Sequence, residues 1–324
     1  MDPALANLGW TEDQCNRIAN TVTEEAQRAR VTAQALPCVG PEDRSTLAVP
    51  RLALGTRLNP TPPPPARLVT NSEPELYLTR ISVNVYLRSH EVADPSLSAA
   101  LLMFRRAANV IARVEDALVL YGRRSATVNP TVSSQLNRTV SGVPQVFEIT
   151  QDTHNVSGLY PLLMGPTPVG ELPAIARNRV ALPLPLPRAF RANVNRRGGS
   201  LGDGVVNTIV AAINSIENAG YGAPFACLLG TTLFEAICTP ATTLVLPRDR
   251  VLPFLQGPLL RSSELGATEG VVISLSGAPV ELVMASDVHV RFLQQTLEGR
   301  LAFRVSERVA VRIKDPSAVQ WISR

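Results

Sequence analysis

Lysine is almost absent from this chain of 324 residues. Of its 31 basic residues one is Lys314 and the rest are Arg, set against 27 Asp and Glu. The net charge of +4 is small, and acids are interspersed with the arginines almost everywhere, so no basic tail marks the chain as a nucleic-acid binder. Aromatics make up only 5%, which argues against the aromatic-and-basic interleaving of single-strand binders. Nucleic acid is not an expected partner. No run of about 18 apolar residues occurs, so no membrane span is expected. Met1 to Trp10 lacks the basic start and apolar stretch of a signal peptide. The expected setting is the cytoplasm.

Reactive side chains are equally sparse. Cysteine stands only at 15, 38, 227 and 238, and no pair has the two-residue spacing of a zinc knuckle. These thiols read as small buried hydrophobes. Whether Cys227 and Cys238 pair is open. Histidine stands only at 90, 154 and 289, away from metal-ligand spacing, and no G-x-S-x-G elbow is present. A Ser or Cys nucleophile needs a base beside it, and nothing in the pattern supplies one. No catalytic residue, metal or cofactor is expected. The glycines from Gly198 to Gly204 precede a helix, as a phosphate cradle would. No strand leads into them, the Lys-Ser/Thr of a P-loop is missing, and Asp203 would repel phosphate, so they read as a hinge.

What is present is an α+β pattern. Hydrophobic residues make up 45%, enough for a sizeable core. A helix is predicted over 11–35. Thr11 and Gln14 form a capping box, Cys15, Ile18, Val22 and Ala26 share one face, and Glu24, Glu25, Arg28 and Arg30 share the other. Residues 37–75 are broken by prolines, including Pro62–Pro65, yet keep alternating runs such as Leu47–Leu54. That suits an arm containing a two-stranded ribbon. Strict alternation over 76–88 predicts a strand. The strongest helix spans 96–121, with Ser96 as its cap and Gly122 as its stop. Glu115 and Asp116 inside it face about 100° apart, so an ion pair with Arg113 or Arg123 is expected rather than joint acid–base work. Residues 125–202 are irregular. Beyond them come a helix capped by Asp203, a buried strand to Leu229, a short helix 231–238, and strands over 271–275, 280–285, 288–293 and 302–312.

Several stretches in order resemble encapsulin shell proteins, the linocin-like nanocompartment family that shares the fold of Hong Kong-type phage major capsid proteins. The stretches are Leu8-Gly9-Trp10-Thr11-Glu12, Val39-Gly40-Pro41, Glu115-Asp116 through Gly122, and Asn218-Ala219-Gly220-Tyr221-Gly222-Ala223-Pro224-Phe225. The most specific is Phe303-Arg304-Val305-Ser306-Glu307 followed by Ile313-Lys314-Asp315-Pro316-Ser317-Ala318. Residues 125–202 depart from the family pattern.

The resemblance implies a phage major-capsid-like fold. Residues 1–36 would form a luminal helix, 37–75 an extended loop, 76–124 a peripheral domain, 203–290 an axial domain, and 291–324 strands returning to the peripheral domain. It implies an inter-subunit arm carrying Leu47, Val49, Leu52, Leu54 and Leu58. It implies a pore loop of Thr239, Pro240, Ala241, Thr242 and Thr243, for which an ordinary helix–strand loop is the alternative. It implies a groove of Trp10, Ile18 and Val22 for the targeting peptide of a cargo enzyme such as a peroxidase, ferritin-like protein or desulfurase, unless those residues pack within the chain. The expected partner is otherwise the chain itself, in a closed icosahedral shell. A phage or prophage capsid protein, and a hydrolase or protease with an unrecognised site, are the alternatives.

Overall fold

The computed structural model describes residues 8–41, 43, 45–57, 67–122, 146–150, 159, 179–181, 201–240 and 245–323. Two five-stranded sheets and one ribbon carry the strands. The first sheet has the order β1-β10-β11-β4-β5, from Cys38–Val39, Val280–Gln295, Arg300–Ile313, Thr79–Arg88 and Phe147–Thr150. The second has the order β6-β12-β9-β7-β8, from Arg179–Ala181, Val319–Ser323, Gly270–Ser274, Phe225–Leu229 and Leu259–Arg261. The ribbon pairs β2 (Ala48–Arg57) with β3 (Arg67–Tyr77) in antiparallel register.

The N-terminal helix α1 runs from Glu12 to Ala29, and its capping box joins Thr11 and Gln14 as the sequence predicts. It stops six residues short of the predicted end. Arg30 turns extended, and a short helix α2 (Thr32–Ala35) follows. Glu25 and Arg30, assigned by periodicity to the exposed face, are buried. After β4 comes a short helix α3 (Ser89–Ala93), then α4, from Ser98 to Tyr121. Ser96 is not its cap. Leu97 holds that position in a left-handed conformation, and the Asp94 carboxylate takes the N–H groups of Ser96 and Ser98 instead. Gly122 ends the helix at φ 66°, its N–H donating to Leu118 O at 2.8 Å.

Helix α4 is the shared spine. From Val114 to Tyr121 it is buried on every side, which marks a helix enclosed by protein rather than lying on a surface. One continuous core joins it to α1, to the inner face of the first sheet (Ile81, Val83, Phe303, Val305), and to one face of the second (Ala226, Leu228, Val271, Trp321). The opposite face of the second sheet (Phe225, Cys227, Val272, Ile322) packs under α5 (Leu201–Asn218), α6 (Thr231–Cys238) and α7 (Pro247–Leu255). Strands β7 and β9 are therefore buried on both faces and read as unbroken apolar runs. Gly202 lies where α5 meets α6 and α7. A Cβ there would stand 2.6 Å from Ala236 O, so this glycine serves close packing, not the predicted hinge.

Three further expectations change. The segments 280–285 and 288–293 are one strand, β10, with register shifts at Ser286. It lies in the first sheet, so residues 280–290 do not belong to the second layer as the predicted axial domain 203–290 had them. The C-terminal strands divide: β11 joins the first sheet, but β12 joins the second, so 291–324 does not return as a unit. Among the described residues no helix is long and apolar enough to cross a membrane.

Phe303 is fully buried at the centre of an aromatic cluster. It stacks on Trp10 at 5.3 Å and meets Phe104 and Phe292 edge-on at 5.4 and 5.5 Å. Phe303→Ala is expected to cost about 3–5 kcal/mol. That should appear as a lower urea midpoint at unchanged slope.

Candidate functional site

The principal polar feature of the interior is a buried charge cluster where α1 gives way to α2. Arg30, at the end of α1, projects into the junction of α4, β10 and β11. Its Nε donates to Glu115 Oε2 at 2.6 Å and its Nη1 to Asp287 Oδ1 at 2.9 Å, while Nη2 binds Glu307 Oε2. Glu115 and Glu307 are buried; Asp287 is half exposed. Burial opposes the Arg30 charge, but Glu307, Glu115 and Asp287 outweigh it and hold the guanidinium pKa above its usual value. Burial also pushes the Glu115 carboxyl well above the usual range, aided by facing Glu307, and burial raises Glu307 too. Glu115 Oε1 and Glu307 Oε1 have no donor among the described residues.

Asp116 does a separate task. Its carboxylate accepts from Val31 N (3.0 Å), Thr32 N (2.8 Å) and Thr32 Oγ1 (2.6 Å), capping the first turn of α2. The predicted partners of the Glu115–Asp116 pair are thus corrected. Arg113 binds Glu264 at 2.8 Å, and Arg123 lies outside the described residues. Adjacency on α4 sends one carboxyl to Arg30 and the other to the backbone of α2. The cluster fastens three elements to the end of α1. Among the described residues no group of three His, Cys, Asp or Glu is placed to hold a metal. His154 lies outside them. Cys15, Cys38, Cys227 and Cys238 are free thiols.

The sequence-assigned surfaces fare unequally. Trp10, Ile18 and Val22 are 6%, 1% and 0% exposed and belong to the main core. Trp10 Nε1 donates to Val92 O at 2.9 Å. The three come together, but as packing against the chain's own first sheet, so they leave no open groove for a peptide. An amphipathic stripe has the same spacing whether it meets its own sheet or a partner. In the arm, Leu47 is exposed, while Val49 packs with Leu76, Leu78, Val283 and Ala310 at the base of the ribbon. Leu52 and Leu54 fall on β2, and Leu58 lies outside the described residues. In the predicted pore loop, Thr239 and Pro240 are exposed just after α6, Thr239 Oγ1 donating to Glu235 O at 2.7 Å. Ala241, Thr242 and Thr243 lie outside the described residues.

The sequence matches the family Linocin_M18, described as "Encapsulating protein for peroxidase", over residues 191–310, less than half of the chain. No curated protein matches. A virus-like particle from Pyrococcus furiosus is similar in structure, with a TM-score of 0.60 at 13% identity, over 97% of this chain and 100% of that one. The chain has the phage major-capsid-like fold. Two phage structures are also similar. Mycobacterium phage Bobi gives a TM-score of 0.53 at 16% identity over 90% of this chain and 88% of that one. The capsid of Myoviridae phage XM1 gives 0.51 at 13% identity over 88% of each. The buried cluster is what ties the N-terminal segment to the spine helix α4.

The cluster makes two measurable demands. Arg30→Met removes the cation while the buried carboxyls remain, and is expected to destabilise by about 3–5 kcal/mol in urea unfolding. The second concerns pH. Burial raises the Asp116 carboxyl from its ordinary 3.8 to about 6 despite its hydrogen bonds. A raised acid gives stability that is full below its unfolded pKa and lost as pH climbs through the folded one. Between about pH 4 and 7 the wild type should lose about 3 kcal/mol relative to Asp116→Asn, which stays neutral throughout.

Proposed function

We propose that this chain is the repeating subunit of a closed, capsid-like protein shell of the encapsulin type, with a structural rather than catalytic role. The observation that carries the reading is the agreement in fold over nearly the whole of this chain and the whole of a virus-like particle subunit. The ribbon β2–β3 supports it. It is a two-stranded sheet apart from both others, anchored at its base by Val49 and by Arg308, whose Nη1 donates to Thr46 O at 3.0 Å. A ribbon fixed at one end, with no further strand paired to it among the described residues, presents backbone donors and acceptors to a neighbouring copy. Many copies repeating such a contact in a closed symmetry make modest interfaces into a stable particle.

The remaining parts follow from that architecture. The exposed turn at Thr239 and Pro240, with the residues after it, is proposed to border an opening in the shell, where neutral hydroxyls would pass small solutes with little charge selection. The family match at 191–310 supports an enclosed protein cargo, a peroxidase in the family's own description. A phage or prophage capsid is the second reading, favoured by the similarity to phage structures.

Expressed alone and viewed by negative-stain electron microscopy, the protein should form uniform hollow particles tens of nanometres across. Replacing residues 50–75 by a short Gly-Ser link should abolish the particles while leaving the far-UV circular dichroism of the sheets and helices in place. A monomer or dimer from the unaltered chain would refute the shell. Particles of the unaltered chain filled with DNA would favour the phage reading over the compartment.

A further inference from the structure

The seat of α1 on α4 holds three acids around one base. Glu115 of α4, Asp287 of β10 and Glu307 of β11 each give an oxygen to the Arg30 guanidinium. Asp287 is half exposed and also accepts from Val288 N at 2.7 Å. Glu115 and Glu307 are 0% and 2% exposed, and the second oxygen of each has no donor among the described residues. A buried polar atom left without a partner is costly, and a buried charge more so. The two side chains stand within hydrogen-bonding reach of each other. Two carboxylates have only acceptors to offer, whereas a carboxylic acid can donate to a carboxylate. Two carboxyls in one site also resist being ionised together.

The charged and titratable groups facing the pair come from every element packed around it. Arg30 arrives from the end of α1 and Asp287 from β10. Asp116, next to Glu115 on α4, turns its carboxyl to the backbone of α2 and adds negative charge at Glu115. The Cys38 thiol of β1 lies in the field of Glu115, Arg30 and Asp287. On the outer side of the first sheet, Arg80, His289 and Arg308 line a cavity that Glu307 also borders. Burial is the largest influence on both carboxyls, and it favours the neutral form. At Glu115 the facing Glu307 comes next and acts the same way.

We propose that Glu115 keeps its proton at neutral pH and donates a hydrogen bond to the Glu307 carboxylate, and that this acid–carboxylate pair is a pH-sensitive latch seating α1 on α4. With the proton in place, the cluster sets two carboxylates against one guanidinium, and one of the two, Asp287, is partly wetted. Once the proton leaves, a third negative charge is buried beside Arg30, Glu115 and Glu307 repel, and the seat of α1 loosens. The direction is the reverse of an ordinary buried ion pair, which fails in acid: this latch holds in acid and yields in alkali. It lies within one chain and does not depend on the shell reading.

The test is urea unfolding of the full-length protein at a series of pH values from about 6 upward, for the wild type and Glu115→Gln. Gln at 115 supplies an N–H donor in place of the proton and does not titrate. While the native state holds a proton that the unfolded chain has lost, the wild-type folding constant should fall about tenfold per pH unit relative to the variant. Asp116 is present in both, so its own titration cancels. Glu307→Gln should flatten the pH dependence in the same way, and serves if the first variant does not fold. Infrared spectra need no variant: at neutral pH the wild type should show the C=O stretch of a protonated carboxylic acid, persisting above the Asp116 titration. Amides of α1, corrected for the intrinsic effect of pH, should exchange faster once that band is lost. Stability curves that run parallel in the wild type and both variants, no carboxylic-acid band at neutral pH, or α1 protection unchanged after the band disappears would each overturn the latch.

Discussion

The contact between Arg30 and the carboxyls of Glu115, Glu307 and Asp287 organises the molecule. It brings together the N-terminal segment, the spine helix and two central strands of the first sheet. None of these groups could be buried alone without severe cost. Buried together, they require one arrangement of four chain segments that are far apart in sequence. Asp116 adds direction by capping α2, so the chain leaves the cluster toward β1, whose two residues pair in parallel with β10. A buried ion cluster is weak evidence for stability in itself. Its value here is registry: it allows one way to seat α1 on α4.

Much of the fold was legible in the sequence because local periodicity and burial coincide. The alternation survives over Thr79–Arg88, although Leu76 and Tyr77 of the predicted strand belong to β3; the stripe of α4 survives from Ser98 onward, and the capping box at Thr11 is as expected. The ribbon was legible as well, because alternating runs flank the prolines and become β2, ending at Arg57, and β3, beginning at Arg67. Helix ends were less legible. Arg30 stops α1 because its side chain is needed at the cluster, and nothing local announces that need. Strand β12 was missed because Val319–Ser323 is short and carries Gln320 inward, where its Nε2 donates to Ser215 Oγ at 2.9 Å. β10 looked like two strands because Ser286 and Asp287 interrupt the apolar run at a shift of register.

The surfaces were the hardest to read. Trp10, Ile18 and Val22 have the spacing of an amphipathic stripe, which states that something apolar covers them but not what. The structure answers with Phe303 and the first sheet. Four arginines on the outer side of that sheet carried no signal in one dimension either, since they come from three strands separated by most of the chain. Only the register β4-β11-β10 puts Arg80 against Arg308 and Arg304 against Arg291.

The enclosure of α4 has a mechanical meaning. Its last two turns are core to both sheets at once, so the sheets cannot hinge about each other without exposing Ala226, Val271 and Trp321 to water. The two sheets and the helix between them therefore move as one stiff body. In a closed surface built from such bodies, every change of angle between neighbours has to be taken up at their margins, so the curvature of a shell would be written in its ribbons and edges rather than in the bending of its subunits.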